Sequence, residues 1–137
     1  MSYRAIADIL GIQDPTDTIE LHAIARKGLP AEVAGRLAIK LGISVEDLSH
    51  CLRIPILSLI GNKGERLSPH ISDRLIKVAE LYVRCKEVFE TDAKSVTWLK
   101  SIIPALGGTC PIDHLGTGSE IDAVRVLLGR IEHGVHS

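Results

Sequence analysis

Apolar residues in this chain recur every three to four positions, and nowhere do they alternate for long enough to make a strand, so the pattern predicts helices throughout. The first covers Tyr3–Leu10 and ends at Gly11 and Pro15. A second spans residues 17–27, with Asp17 as N-cap and Gly28 as its stop. Leu29-Pro30 opens a third, whose Val33, Leu37 and Leu41 lie four apart on one face until Gly42 ends it. Ser44 caps a short helix running to Leu52, and Pro55 begins another that dies in Gly61-Asn62-Lys63-Gly64.

The second half opens on Ser68-Pro69, an N-cap followed by a proline at the first helical position. From there Ile71, Leu75, Val78, Tyr82, Cys85 and Phe89 recur at spacings of 4, 3, 4, 3 and 4, a heptad-like stripe. Such a stripe suits the core side of a helix in a bundle. The second reading is a helix shared across a homodimer, with Ile71, Leu75, Val78 and Tyr82 as dimer contacts. Asp92 is placed as the cap of a helix bearing Val96, Leu99, Ile102 and Ile103, stopped by Pro104. Ala105-Leu106-Gly107-Gly108 forms a tight turn, because paired glycines reach backbone angles other residues resist. Pro111 starts a one-turn helix over residues 112–115, and Thr117 with Glu120 forms a capping-box pair. The final helix carries Ile121, Val124, Leu127, Leu128 and Ile131 on one side, Gly134 sits at a left-handed C-cap, and Val135-His136-Ser137 form an exposed tail. The fold class is therefore all-α, with helices and a helix-turn-helix region in residues 1–66 and a small helical domain in residues 67–137.

Composition narrows the classes. At 137 residues and 45% apolar, the chain buries a core, but with only 3% aromatics that core is built from Leu, Ile, Val and Ala. No apolar run is long enough to span a membrane, and the amino terminus lacks a signal-peptide profile, so no membrane partner is expected. Cys51, Cys85 and Cys110 are odd in number and widely spaced, which suits packed thiols in a reduced, cytoplasmic protein. The net charge of −1 divides into −3 over residues 1–24, +3 over residues 25–66 and −1 over residues 67–137. The middle third tolerates a phosphate backbone but makes a weak electrostatic footprint.

Two overlapping helix-turn-helix registers run through that middle third. Ala38, Gly42, Ile43 and Leu48 make one, but it puts Glu46 and Asp47 at the front of the recognition helix, where they repel phosphates. Ser49, Arg53, Ile54 and Leu59 make the other, with a recognition segment over residues 56–63. Arg53, Ser58, Asn62, Lys63 and Arg66 are then the candidate DNA contacts, although groove readout normally relies on Arg, Lys, Asn or Gln aimed at base edges. No chemistry-bearing constellation stands out. His114, His133 and His136 do not make four zinc ligands, and His133 and His136 straddle a helix end. Ser68, Ser72 and Ser119 have no His and carboxylate at a recognisable spacing, and Gly107-Gly108-Thr109 is too short to cradle a phosphate. Neither an enzyme nor a metal or cofactor is expected. Trp98 reads either as a core plug or as an interface anchor.

Residues 67–137 resemble the toxin-binding domain of the Xre/MbcA/ParS-type antitoxins. The resemblance is carried by Leu67-Ser68, Ser72-Asp73-Arg74-Leu75, Trp98-Leu99, the Pro104 to Gly108 turn and Pro111-Ile112-Asp113-His114-Leu115. It closes with Val124, Leu127-Leu128, Ile131, Gly134 and Val135. The middle third resembles the Xre-like helix-turn-helix that precedes this domain in the family. The resemblance implies an antitoxin encoded beside a RES-domain toxin that degrades NAD. It also implies a homodimer, neutralisation by the C-terminal end occluding the toxin's active site, and binding to its own promoter DNA. On this chain the implied toxin contacts are Trp98, Leu106, Arg130, Glu132, His133, Gly134, Val135, His136 and Ser137. The recognition segment departs from the family pattern in lacking its usual arginines. The competing reading is a stand-alone helix-turn-helix transcription regulator whose second half serves dimerisation only.

Overall fold

A computed structural model describes residues 3–61 and 64–134, all of them helical or in connecting turns, with only two isolated bridge pairs, Pro30 with Arg66 and Ile103 with Thr109. The helices are α1 (Tyr3–Leu10), α2 (Thr18–Lys27), α3 (Val33–Leu41), α4 (Val45–Leu52), α5 (Ile56–Ile60), α6 (Pro69–Phe89), α7 (Asp92–Leu99) and α8 (Gly118–Glu132). Two single 3₁₀ turns, Pro104–Leu106 and Pro111–His114, link α7 to α8. Their starts follow the sequence chemistry: the Asp17, Ser44, Ser68, Thr91 and Thr117 side chains each accept a backbone N–H from the first turn of the helix they precede.

α6 is the axis of the molecule. It packs against α1, α2 and α3 on one flank and against α7 and α8 on the other. Its 21 residues therefore belong to both halves of the chain, and a single hydrophobic cluster runs from Ile6 of α1 to Leu128 of α8. Ser72, fully buried on α6, explains how a polar residue sits in that core. Its Oγ accepts the Leu29 N–H at 2.8 Å and faces the Leu67 carbonyl, so the two linkers flanking α3–α5 are stitched to the axis. Cys85 is buried on the same helix, and burial pushes its thiol up to about 12, so it serves as packing rather than as a reactive group.

Two expectations change here. The stripe read as dimer contacts lies inside the chain: Ile71, Leu75, Val78 and Tyr82 are between 0% and 9% exposed. A helix with neighbours on two flanks buries both sides, and periodicity alone does not say whether the neighbour belongs to the same chain. The helix expected to run from an Asp92 cap to Pro104 begins one residue earlier and ends sooner. Thr91 is the cap, its Oγ1 accepting the Lys94 N–H at 3.1 Å, which leaves Asp92 free to accept from the Tyr82 hydroxyl and to pair with Lys40 and Lys86. The helix closes at Leu99, because Ile103 is needed in extended backbone to pair with Thr109 across the Gly107-Gly108 turn.

Candidate functional site

The helix-turn-helix is present twice over, as α3–turn–α4 and α4–turn–α5, and the two turns have the same backbone. At the first, Gly42 takes φ 70, ψ 33, and Ile43 donates back to the Ala38 carbonyl. At the second, Arg53 takes φ 55, ψ 42, and Ile54 donates back to Ser49. Both are helix ends closed by a left-handed residue. The left-handed conformation is ordinary for glycine and costly for arginine.

The second turn feeds the five-residue α5. Leu59 points into the core, whereas Leu57 is 78% and Ile60 is 44% exposed, so apolar side chains occupy most of the outward face. Of the candidate DNA contacts, Ser58 is exposed on this face. Arg53 is exposed too, but it is directed to Glu120, 67 residues on, with Nη1 and Nη2 at 2.5 and 3.2 Å from the two carboxylate oxygens. Arg66 is tied down as well, donating to the Gly28 carbonyl at 2.8 Å. Asn62 and Lys63 lie outside the described residues.

The other candidate surface is the outer side of α8. Ile121, Val124 and Leu128 hold the helix to the core, which turns Ala123, Val126, Leu127 and Arg130 toward the Pro104–Leu106 turn. There they line an open groove of about 290 Å³ together with Ala105 and Leu106. Val126 is 57% exposed. The structure thus brings together Leu106 and Arg130 from the predicted contacts. It adds Ala105, Ala123, Val126 and Leu127, which the sequence-predicted contacts do not include. The available signal was Val126, an apolar residue off the buried stripe. Trp98 is elsewhere: half-buried, it packs against Phe89 with ring centroids 5.3 Å apart.

Both ends of α8 are fastened. At its start, the Thr117 Oγ1 caps the helix, accepting the Glu120 N–H, and the Glu120 carboxylate meets Arg53, the Thr117 hydroxyl and, at 3.3 Å, His114 Nδ1. The hydrogen bond from Arg53 is the main reason this carboxyl sits below the usual carboxylate range; Thr117 and His114 reinforce it. At its end, Glu132 accepts a two-pronged hydrogen bond from Arg84 of α6, one prong at 2.8 Å, which likewise holds its carboxyl low. Glu132 thus ties the end of α8 to α6 while remaining exposed. His133 and Gly134, with φ 75 at the glycine, follow as exposed residues, and Val135, His136 and Ser137 lie outside the described residues. His114 is engaged on both ring nitrogens, Nε2 lying 2.6 Å from the Thr109 hydroxyl.

The fold and these surfaces define a helix-turn-helix unit joined through a shared axial helix to a helical unit with an outward groove. The family described as the antitoxin Xre-like helix-turn-helix domain matches residues 20–80, and the antitoxin Xre/MbcA/ParS C-terminal toxin-binding domain matches residues 86–134. The chain is 29% identical to an antitoxin Xre of Yersinia enterocolitica over 143 aligned positions, covering 90% of this chain and 97% of the relative. It is also 29% identical to an antitoxin Xre of Photorhabdus laumondii, over 85% of this chain and 81% of the relative. The chain belongs to the Xre/MbcA/ParS-type antitoxins, and it acts by binding a toxin rather than by catalysis. The first matched segment ends and the second begins within α6, in keeping with the core that this helix shares between them.

Proposed function

We propose that this antitoxin neutralises a RES-domain, NAD-degrading toxin by laying the outer face of α8 against it and driving the chain's C-terminal end, residues 130–137, into the active-site cavity. The observation that carries this reading is the geometry of α8. It is pinned at both ends, it bears an exposed apolar strip beside Arg130, and it is followed by His133 and a left-handed Gly134. A helix held in this way has already lost the freedom that docking would otherwise remove, so more of the contact energy is retained as affinity. Arg130 is the charged group best placed to answer the polar groups of a dinucleotide site. The identity of the toxin as a RES enzyme rests on the family resemblance of residues 67–137.

The test is to delete residues 130–137 and follow NAD consumption by the toxin mixed with the antitoxin. Loss of inhibition is expected. Full inhibition by a truncated antitoxin that still forms the complex contradicts the plug.

Autoregulation, the other activity the resemblance implies, falls to α4 and α5. Here Arg53 and Arg66 are bonded to protein, and Leu57 and Ile60 face outward. Sequence-specific contacts depend on side chains reaching base edges, so the chain without toxin is expected to bind promoter DNA only at the non-specific level. A gel shift on the upstream DNA at two salt concentrations, with and without toxin, reads this directly. A salt-tolerant, sequence-specific complex of the antitoxin alone would instead favour the stand-alone regulator.

A further inference from the structure

We infer that Arg53 is a positioning residue for toxin recognition: through Glu120 it holds the first turn of α8 against the helix-turn-helix and so sets the direction in which α8 presents its outer face. The inference rests on the reading of that face as the toxin contact.

Three observations converge on it. The first is the backbone. Gly42 and Arg53 close equivalent turns, and only at Gly42 is the left-handed conformation given to a residue that adopts it freely. An arginine at such a position needs a compensating interaction, and its guanidinium finds one in both oxygens of Glu120.

The second is the space made for it. The Arg53 guanidinium lies over Gly116, where an added Cβ would come within 2.2 Å of Nη1. Gly116 does not sit in the left-handed region, so its lack of a side chain serves room rather than backbone geometry. The Gly116 carbonyl in turn accepts from Arg74 of α6 at 2.5 Å, as does that of Leu115 at 3.3 Å, which fixes the loop beneath the clasp.

The third is what Glu120 does not do. In a reciprocal capping box this side chain would reach back to the backbone N–H of Thr117. Instead its carboxylate faces Arg53, His114 and the Thr117 hydroxyl. A residue suited to local capping is thus used to tie α8 to a turn far away in sequence.

The experiment measures binding of the full-length antitoxin to the toxin encoded by the neighbouring reading frame, by surface plasmon resonance at low and at about 1 M salt, where screening reaches only a few ångströms. Arg53→Gly is expected to fold and to melt no lower than the parent, yet to bind the toxin about fivefold more weakly, a change of the size reported for residues that couple sites without touching the ligand. Arg53→Lys should fall between the two, because it keeps the charge and loses the fork. The difference between parent and Arg53→Gly should narrow at high salt, and Arg53→Gly/Glu120→Gln should bind no worse than either single variant. Should Arg53→Gly fail to fold, Glu120→Gln carries the same test with the turn untouched. Val126→Asp, on the face itself, separates the two ideas. If it binds poorly while Arg53→Gly and Glu120→Gln bind as the parent does, the positioning role is overturned and the α8 reading stands. If Val126→Asp binds as the parent does, the α8 reading falls, and the inference with it.

Discussion

The turns at Gly42 and Arg53 share a backbone and differ in how each is joined to the rest of the molecule. At Gly42 the second half reaches in: Lys100, at the end of α7, donates to the Gly42 carbonyl at 2.6 Å. At Arg53 the turn reaches out, sending its own cation to Glu120 on α8. The first arrangement uses a residue without strain and a contact at the edge of the core. The second accepts an unfavourable backbone conformation to place a charge where the toxin-binding half can grip it. The helix-turn-helix is thereby linked to the first turn of α8, while α5 faces outward with Leu57 and Ile60.

The largest effect expected from breaking this contrast comes from Gly42→Val. A β-branched residue in left-handed backbone, with its Cβ 3.4 Å from Val96 Cγ1, should lose about 2–3 kcal/mol in urea denaturation. Arg53→Gly should lose none, and equal losses at the two turns would erase the distinction.

A smaller effect appears in acid. The Glu120 carboxyl lies below its ordinary 4.5, so the folded state binds its proton less readily than the unfolded chain does. Its contribution is complete above about pH 4.5 and is lost as pH falls through the lower folded value. Glu120→Gln should therefore melt somewhat below the parent near neutrality and converge with it in acid, flattening the acid limb of a melting-temperature profile. An acid limb as steep as the parent's would remove the clasp from the account.

Glu80 on α6 supplies a control of opposite sign, away from both turns. Burial is the main cause of its raised carboxyl, with Asp73 adding to it and Arg125, Lys77 and His22 opposing. A raised folded value means stability that is present below pH 4.5 and lost as pH rises through the folded value. Glu80→Gln should consequently melt slightly higher than the parent at pH 7 and no higher at pH 4. Smallest of all is Lys100→Met, an exposed contact whose removal should cost under about 1 kcal/mol. A larger loss would make the two turns energetically alike.

Much of this architecture is legible in the sequence, because caps and stops are local. Asp17, Ser44, Ser68 and Thr117 act as the N-caps their residue types suggest, and Gly28, Gly42 and Gly134 adopt the positive φ expected at helix ends. Partnership at a distance is not legible. Arg53 beside a helix-turn-helix reads as a phosphate contact until its partner 67 residues away is seen. The α6 stripe also reads as a dimer seam because spacing does not reveal that α2 and α8 of the same chain already cover it. Asp92 reads as a cap, since Asp and Thr are both good ones, and only the contacts of its carboxylate with Tyr82, Lys40 and Lys86 decide between them. On α8, the charged tip is easier to anticipate than the apolar flank. Arg130 stands out by charge, whereas Val126 is conspicuous only once the buried side of α8 is known.

The measurement that bears most directly on this account is a structure of the antitoxin bound to its toxin. It should show Val126, Leu127 and Arg130 at the interface, α8 still clasped by Arg53, and residues 130–137 filling the toxin's active-site cavity. A complex in which that cavity is open to solvent, with the toxin held by some other face, would contradict it.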